Sequence, residues 1–116
     1  MMIVAFSVAP SGGSGPQSDS VHNAVAAAVR IVRESGLPNR TSSMFTEIEG
    51  EWDEVMDVVK RATFAVAEFG SRVSLVLKAD YRPGHVGELE GKVDRLEAAL
   101  EADREAASDP ARQDPA

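Results

Sequence analysis

The sequence predicts an α+β sandwich of element order βαββαβ with one additional C-terminal helix, and three observations predict it. Apolar runs rich in β-formers stand at residues 2–9 and 72–80. Between them lie two stretches with apolar residues every three or four positions. A third stretch of that kind follows the second apolar run.

The first strand is Met2 to Ala9, closed by Pro10 and the loop Ser11-Gly12-Gly13-Ser14-Gly15-Pro16. From Ser20 the pattern turns helical, with Val21, Ala24, Val25, Ala28, Ile31 and Val32 on one face. Ser18 or Asp19 is suited to cap its start, and Gly36 with Pro38 ends it. Residues 39–50 carry Thr41, Phe45, Thr46 and Ile48 in partly alternating order, which predicts extended chain as either one strand or a tight hairpin. The acids Glu51, Asp53 and Glu54 then favour the positive end of a helix dipole. This second helix runs to about Phe69, buries Trp52, Val55, Val59, Ala62, Val66 and Phe69, and stops at Gly70. Residues 72–80 form the last strand.

Beyond residues 81–87, Val86, Leu89, Val93, Leu96 and Leu100 recur at spacings of three and four on a helix expected over about 87–103. That stripe packs either on its own domain or against another subunit. Gly91 within it costs roughly 1 kcal/mol relative to alanine. The domain is therefore placed at 1–103, and 104–116, without apolar periodicity, is read as a disordered acidic tail. Strand, helix, extended pair, helix, strand is the order solved most often by a ferredoxin-like sandwich. Both outer strands are apolar at nearly every position, so the sheet's second face should also be covered, and a second copy of the chain is the expected cover.

Composition excludes several classes of function. With 116 residues there is room for one domain. No apolar run approaches the roughly 20 residues that cross a bilayer. The N-terminal stretch lacks the basic region of a secretory signal, and the absence of cysteine removes disulfides, thiol nucleophiles and zinc–cysteine sites. Cytoplasmic residence is the expectation. The formal charge is −7, and residues 87–116, with nine acids against four bases, hold most of it. Neither part of the chain offers the basic face that nucleic acid requires.

The residues that could carry chemistry cluster after the first helix. From Glu47 to Asp57 there are six acids and no base. If the strand persists, Glu47, Glu49 and Glu51 share one face, either as a site for a cationic ligand or as a solvated strand end with dipole acids. The Ser11–Gly15 loop resembles a phosphate cradle only loosely, having neither a Gly-Lys-Ser/Thr ending nor dinucleotide spacing. His22 on helix one and His85 in a loop have no metal-ligand spacing, and the loop serines lack a base, so no metal, cofactor or catalytic residue is expected. Arg72 is read as an ion-pair partner of Glu49 or of an anionic ligand group.

Certain residues also carry a resemblance. They are Met2-Ile3-Val4-Ala5 with Ser7 and Pro10, Glu34-Ser35-Gly36-Leu37, Thr46-Glu47-Ile48-Glu49-Gly50-Glu51-Trp52-Asp53-Glu54-Val55-Met56, Arg72-Val73, and Leu89-Glu90-Gly91-Lys92-Val93. In sequence and order they resemble the MTH1187 and YkoF-like family, the thiamine-binding domain family. The block around Ile48-Glu49-Gly50 is the most specific, and the likeness spans residues 2 to about 100. It implies a ferredoxin-like subunit, assembly into homodimers or homotetramers through the sheets, and binding of thiamine or its hydroxymethylpyrimidine part. Phe45 stands where the family usually has glycine, so a ring fills or reshapes the nearby pocket.

On that basis the ligand site is expected where Thr46 and Glu49 meet the end of strand one near Ser7, with Phe45 or Trp52 as an apolar wall. A carboxylate would pair with the thiazolium, and an aromatic face would lie against it. The expected role is non-catalytic buffering, delivery or sensing. The alternatives are a small cofactor-free enzyme on a dimeric α+β barrel and a ligand-free structural or regulatory oligomer. The C-terminal helix is expected to join the sheets in self-association.

Overall fold

A computed structural model of the chain describes residues 1–12 and 17–108, without the side chains of 17–20 and 108. Its elements are β1 (Met2–Ser11), α1 (Gln17–Glu34), β2 (Asn39–Thr41), β3 (Thr46–Gly50), α2 (Trp52–Ala67), β4 (Arg72–Tyr81) and α3 (Glu88–Ser108). The four strands form one antiparallel sheet in the order β2-β3-β1-β4, the ferredoxin-like arrangement. Residues 39–50 are thus a hairpin. Its turn is tied by Ser42, whose N–H donates to the Phe45 carbonyl at 2.9 Å and whose Oγ accepts the Phe45 N–H at 3.2 Å.

The central strand alternates as a half-buried strand should. Met2, Val4, Phe6 and Val8 turn to the helices and are buried, whereas Ile3, Ala5 and Ser7 face the other way and are partly covered. On α1 the buried stripe is Ala24, Ala28 and Val32, and on α2 it is Val55, Val58, Val59, Ala62 and Val66. Ile48 from β3 joins them in one core. Small residues on α1 let it lie close to the sheet. The entry to α2 is set by Glu51, whose N–H donates to Glu54 Oε1 at 3.2 Å.

Several expectations change. β1 runs two residues past Ala9, because β4 pairs with it all the way to Ser11. Helix α1 starts at Gln17, ahead of the expected caps Ser18 and Asp19, and residues 13–16 of the expected loop lie outside the described residues. Val21 and Val25 of the expected α1 face are exposed. Trp52 is also exposed, because it opens α2 one turn ahead of the buried stripe; its ring stands edge-on to Tyr81 with centroids 6.2 Å apart. Arg72 pairs across the ladder with Ser11, whereas Glu49 pairs with Ile3, eight residues further along β1. At ~3.3 Å per residue that separation rules out an ion pair between them.

Helix α3 crosses the second face of the sheet, so part of the cover comes from the same chain. Only its start packs there. Leu89 is buried and Val93 partly so, while Val86, Leu96 and Leu100 are exposed. The helix extends to Ser108, past the expected end near residue 103, and residues 109–116 of the expected tail lie outside the described residues. The radius of gyration is 19.4 Å, against about 13 Å for a compact chain of this length. The excess reflects a helix that projects beyond the sandwich.

Candidate functional site

Three of the five expected ligand residues come together in a slot of about 200 Å³ between α1, the end of β1 and the β2–β3 hairpin. Ser7 with its neighbours Phe6 and Val8, Val25 and Val29 from α1, and Thr41 to Thr46 from the hairpin line it. Phe6 and Phe45 make it apolar. Thr46 and Thr41 place their hydroxyl oxygens 3.5 Å apart at its base. Among the described residues no acid, base or histidine lines it.

The sheet topology creates this slot. β3 pairs with β1 only as far as Phe6, whereas β4 follows β1 to Ser11. Among the described residues, the edge of β1 beyond Phe6 therefore has no strand on the hairpin side, and the N–H and C=O groups of such an edge alternate. Strand alternation turns the Ser7 side chain to the face opposite Phe6, so Ser7 meets the slot at this edge. Val25 and Val29 close the other wall. The mismatch between these strand lengths is a pairing fact, invisible in the separate apolar patterns.

Glu49 and Trp52 are not brought to this slot. Thr46 and Glu49 differ by an odd number of positions on one strand and so point to opposite faces, Thr46 toward the helices and Glu49 away from them. The Glu49 carboxylate is spent inside the protein: its Oε2 accepts the Glu88 backbone N–H at 2.6 Å, at the first turn of α3. Both residues are buried, at 3% and 7% exposure. Glu88 is in turn held by Arg95 at 2.6 Å and by Arg82 at 3.5 Å, with His85 Nδ1 at 3.4 Å. The Arg95 hydrogen bond lowers the Glu88 pKa from its ordinary value; burial opposes this, and the charges of Arg95, Arg82 and His85 add to the lowering. Sequence reasoning missed this cluster because it joins residues 39 positions apart. The available signal was the Arg82, His85, Glu88 spacing around the α3 start.

The acidic run does not build a purely anionic site either. Glu47 shares the second face with Glu49, but Glu51 lies outside the strand at the α2 start. Glu47 lines a second cavity, of about 210 Å³, beneath α3 with Ile3, Ala5, Lys78, Asp80 and Lys92. There Lys78 sits across Ala5 from Glu47, and Lys92 is paired with Asp80. Among the described residues no group of three or more His, Asp or Glu side chains could hold a metal ion, and no helix is long and apolar enough to cross a membrane.

Comparison with known proteins agrees with this architecture. A UPF0045 protein of Mycobacterium bovis is 49% identical over 100 residues, covering 85% of this chain and 94% of its own. A UPF0045 protein of Synechocystis is 34% identical over 83 residues, covering 71% and 69%. The solved DUF77 domain of Bacillus cereus matches with a TM-score of 0.65 and 32% identity over 75% of this chain and 83% of its own. A Thermotoga maritima protein named for a conjectured role in thiamine biosynthesis or salvage matches with a TM-score of 0.68 and 26% identity, over 82% and 97%. The sequence profile described as thiamine-binding protein matches residues 4–97. With most of its length matched, and with the sheet order and hairpin described above, this chain belongs to the thiamine-binding protein family.

Proposed function

We propose that the chain is a non-catalytic binding protein for thiamine or its hydroxymethylpyrimidine part, and that the slot at the β1 edge takes the pyrimidine. The observation that carries this is the pairing of apolar walls, Phe6 and Phe45, with an open strand edge and the Thr41 and Thr46 hydroxyls. An aminopyrimidine is flat and presents alternating donors and acceptors on one rim. Backbone N–H and C=O groups on a free strand edge alternate in the same way. A slot of about 200 Å³ falls below the roughly 300–1,000 Å³ typical of drug-sized ligands, which suits one ring rather than two. Among the described residues no titratable side chain lines the slot, which supports binding rather than turnover. Ser7, Phe45 and Thr46 are the ligand residues in this reading, whereas Glu49 holds α3 and Trp52 stands outside.

Family membership supports a thiamine-related ligand, and the cellular role is buffering, delivery or sensing in the cytoplasm. The exposed part of α3 and the uncovered part of the second sheet face, with Val76 exposed, support self-association into dimers or tetramers. Thermal shift of the full chain against thiamine and the isolated pyrimidine tests the ligand, because a compound that binds only the folded state raises the melting temperature by mass action. Both compounds should stabilise the protein, and Thr46→Val should weaken both. Loss of an aromatic substrate on incubation, without any thermal shift by these two compounds, would overturn the proposal in favour of an enzyme.

A further inference from the structure

The slot does not end at α1. Its wall residues Val25 and Val29, together with Ser43, also line a wider groove of about 820 Å³ along the outer face of α1. This groove is lined further by Ala26, His22, Arg30 and Arg33, and by the carboxylate-bearing Glu34. Arg33 lies one helical turn from Val29, which the slot and the groove share, and Arg30 lies one turn from Ala26 further round the helix, so both arginines line the groove. Neither has an ion-pair partner among the described residues, unlike Arg40, Arg61, Arg82, Arg95 and Arg104. In a chain of net charge −7 this is a local concentration of unspent positive charge. Arg33 in the last turn also complements the helix dipole, but Arg30 lies a turn earlier, where that explanation weakens.

We infer that the ligand is bound as a phosphate ester, with its ring in the slot and its phosphate on Arg30 and Arg33. This rests on the slot being the ring site. A pyrimidine that fills the slot leaves any attached group to run over Val25 and Val29, an apolar path of one turn, before meeting charge. Arginine guanidinium groups recognise phosphate oxygens through paired N–H donors, and His22 adds a third donor. The thiazolium, present in thiamine and in its ester alike, meets like charge in this groove, and only the ester brings an anionic group to offset it. The groove therefore discriminates between the esterified and the free alcohol forms of one compound by pairing with the phosphate, which only the ester carries.

Calorimetric titration of the full chain with thiamine and with thiamine monophosphate tests this. The ester should bind about tenfold more tightly than thiamine, the size of effect given by one or two charge-assisted hydrogen bonds at an exposed site. Added salt should shrink that preference. The double variant R30Q/R33Q should bring the ester down to the level of thiamine while leaving thiamine itself unchanged or slightly tighter. Both side chains are exposed, and an unchanged melting temperature of the variant confirms that it folds. If thiamine binds and the ester binds no tighter, the inference is overturned and the slot reading stands. An ester preference that survives in the double variant places the phosphate elsewhere and also overturns it. If neither compound binds, the slot reading fails and takes the inference with it.

Discussion

The carboxylate of Glu49 accepts the backbone N–H of Glu88 at 2.6 Å, and this bond joins the middle of the sheet to the first turn of α3. An α-helix leaves its first N–H groups without intrahelical partners, and here a side chain from β3 supplies one acceptor. Leu89, next along, is buried against the second sheet face. The dock that orients α3 thus combines this hydrogen bond and the Leu89 anchor with two exposed ion pairs to the sheet, Arg40–Glu90 and Lys92–Asp80.

Removing the acceptor should loosen that dock without melting the sandwich. Glu49→Ala leaves a buried N–H unpaired and is expected to lower stability by about 1–3 kcal/mol. Urea unfolding gives the magnitude. Hydrogen exchange should show faster exchange confined to the start of α3. Glu49→Gln keeps a neutral acceptor and should cost less. Its thiamine affinity should equal that of the parent, because Glu49 lies on the face opposite Thr46.

Acid should weaken the same junction through Glu88. Arg95 hydrogen-bonds this carboxylate, and with Arg82 and His85 it holds the folded-state pKa below the ordinary 4.5. The Glu49 carboxylate lies on the Glu88 backbone. A carboxylate with a depressed pKa stabilises the fold fully above its unfolded pKa, and this stabilisation is lost as the pH falls through the folded value. Stability measured from neutral pH downward should therefore decline below about pH 4.5, and Glu88→Gln should flatten that part of the curve. An identical acid limb in the variant would mean that other carboxylates dominate it.

Gly70 occupies a position that tolerates no side chain. A Cβ there would lie 2.6 Å from the Ser11 carbonyl oxygen and 3.2 Å from the Ser11 nitrogen, both backbone atoms that cannot swing aside. Gly70→Ala must shift the α2–β4 connection or the end of β1, at a cost of about 1–3 kcal/mol. Chemical denaturation should detect the loss. A melting temperature equal to that of the parent would show that the connection relaxes freely.

Ile48, fully buried among the β1 and α2 side chains, gives the reference point for core packing. Ile48→Ala should destabilise by about 2–5 kcal/mol, whereas Ile48→Val should cost about 0.5–1.5 kcal/mol. The ratio of the two in urea unfolding reports how rigidly the core holds its shape.

Self-association has its own test in α3. Light scattering of the 12.3 kDa chain should give a dimer or tetramer. Leu96→Glu with Leu100→Glu should reduce the assembly if the helix takes part, since both leucines are more than half exposed in the single chain. A monomer in both cases would leave the projecting helix without a partner of its own kind.

The element order and most of the core-facing stripe of α2 were legible in the sequence, because helix periodicity records which side of an element is wet, whereas the first strand, apolar at nearly every position, did not show which of its faces meets the helices. Family membership was legible too, from blocks spread over residues 2 to about 100. Tertiary structure alone decided how the strands pair, and that pairing decided the site. The three- and four-residue spacing that placed Trp52 in the core could not show that α2 begins there, ahead of the buried stripe. Thr46 and Glu49 are near neighbours in sequence, yet the sheet divides them, giving one to the slot and the other to α3. The open edge of β1 exists because β3 is shorter than β4, and the Glu49–Glu88 bond exists because α3 folds back over the second sheet face. Local periodicity encodes only the faces of single elements; which residues meet depends on ladder register and on helix docking, and these are set by contacts between residues far apart in the chain.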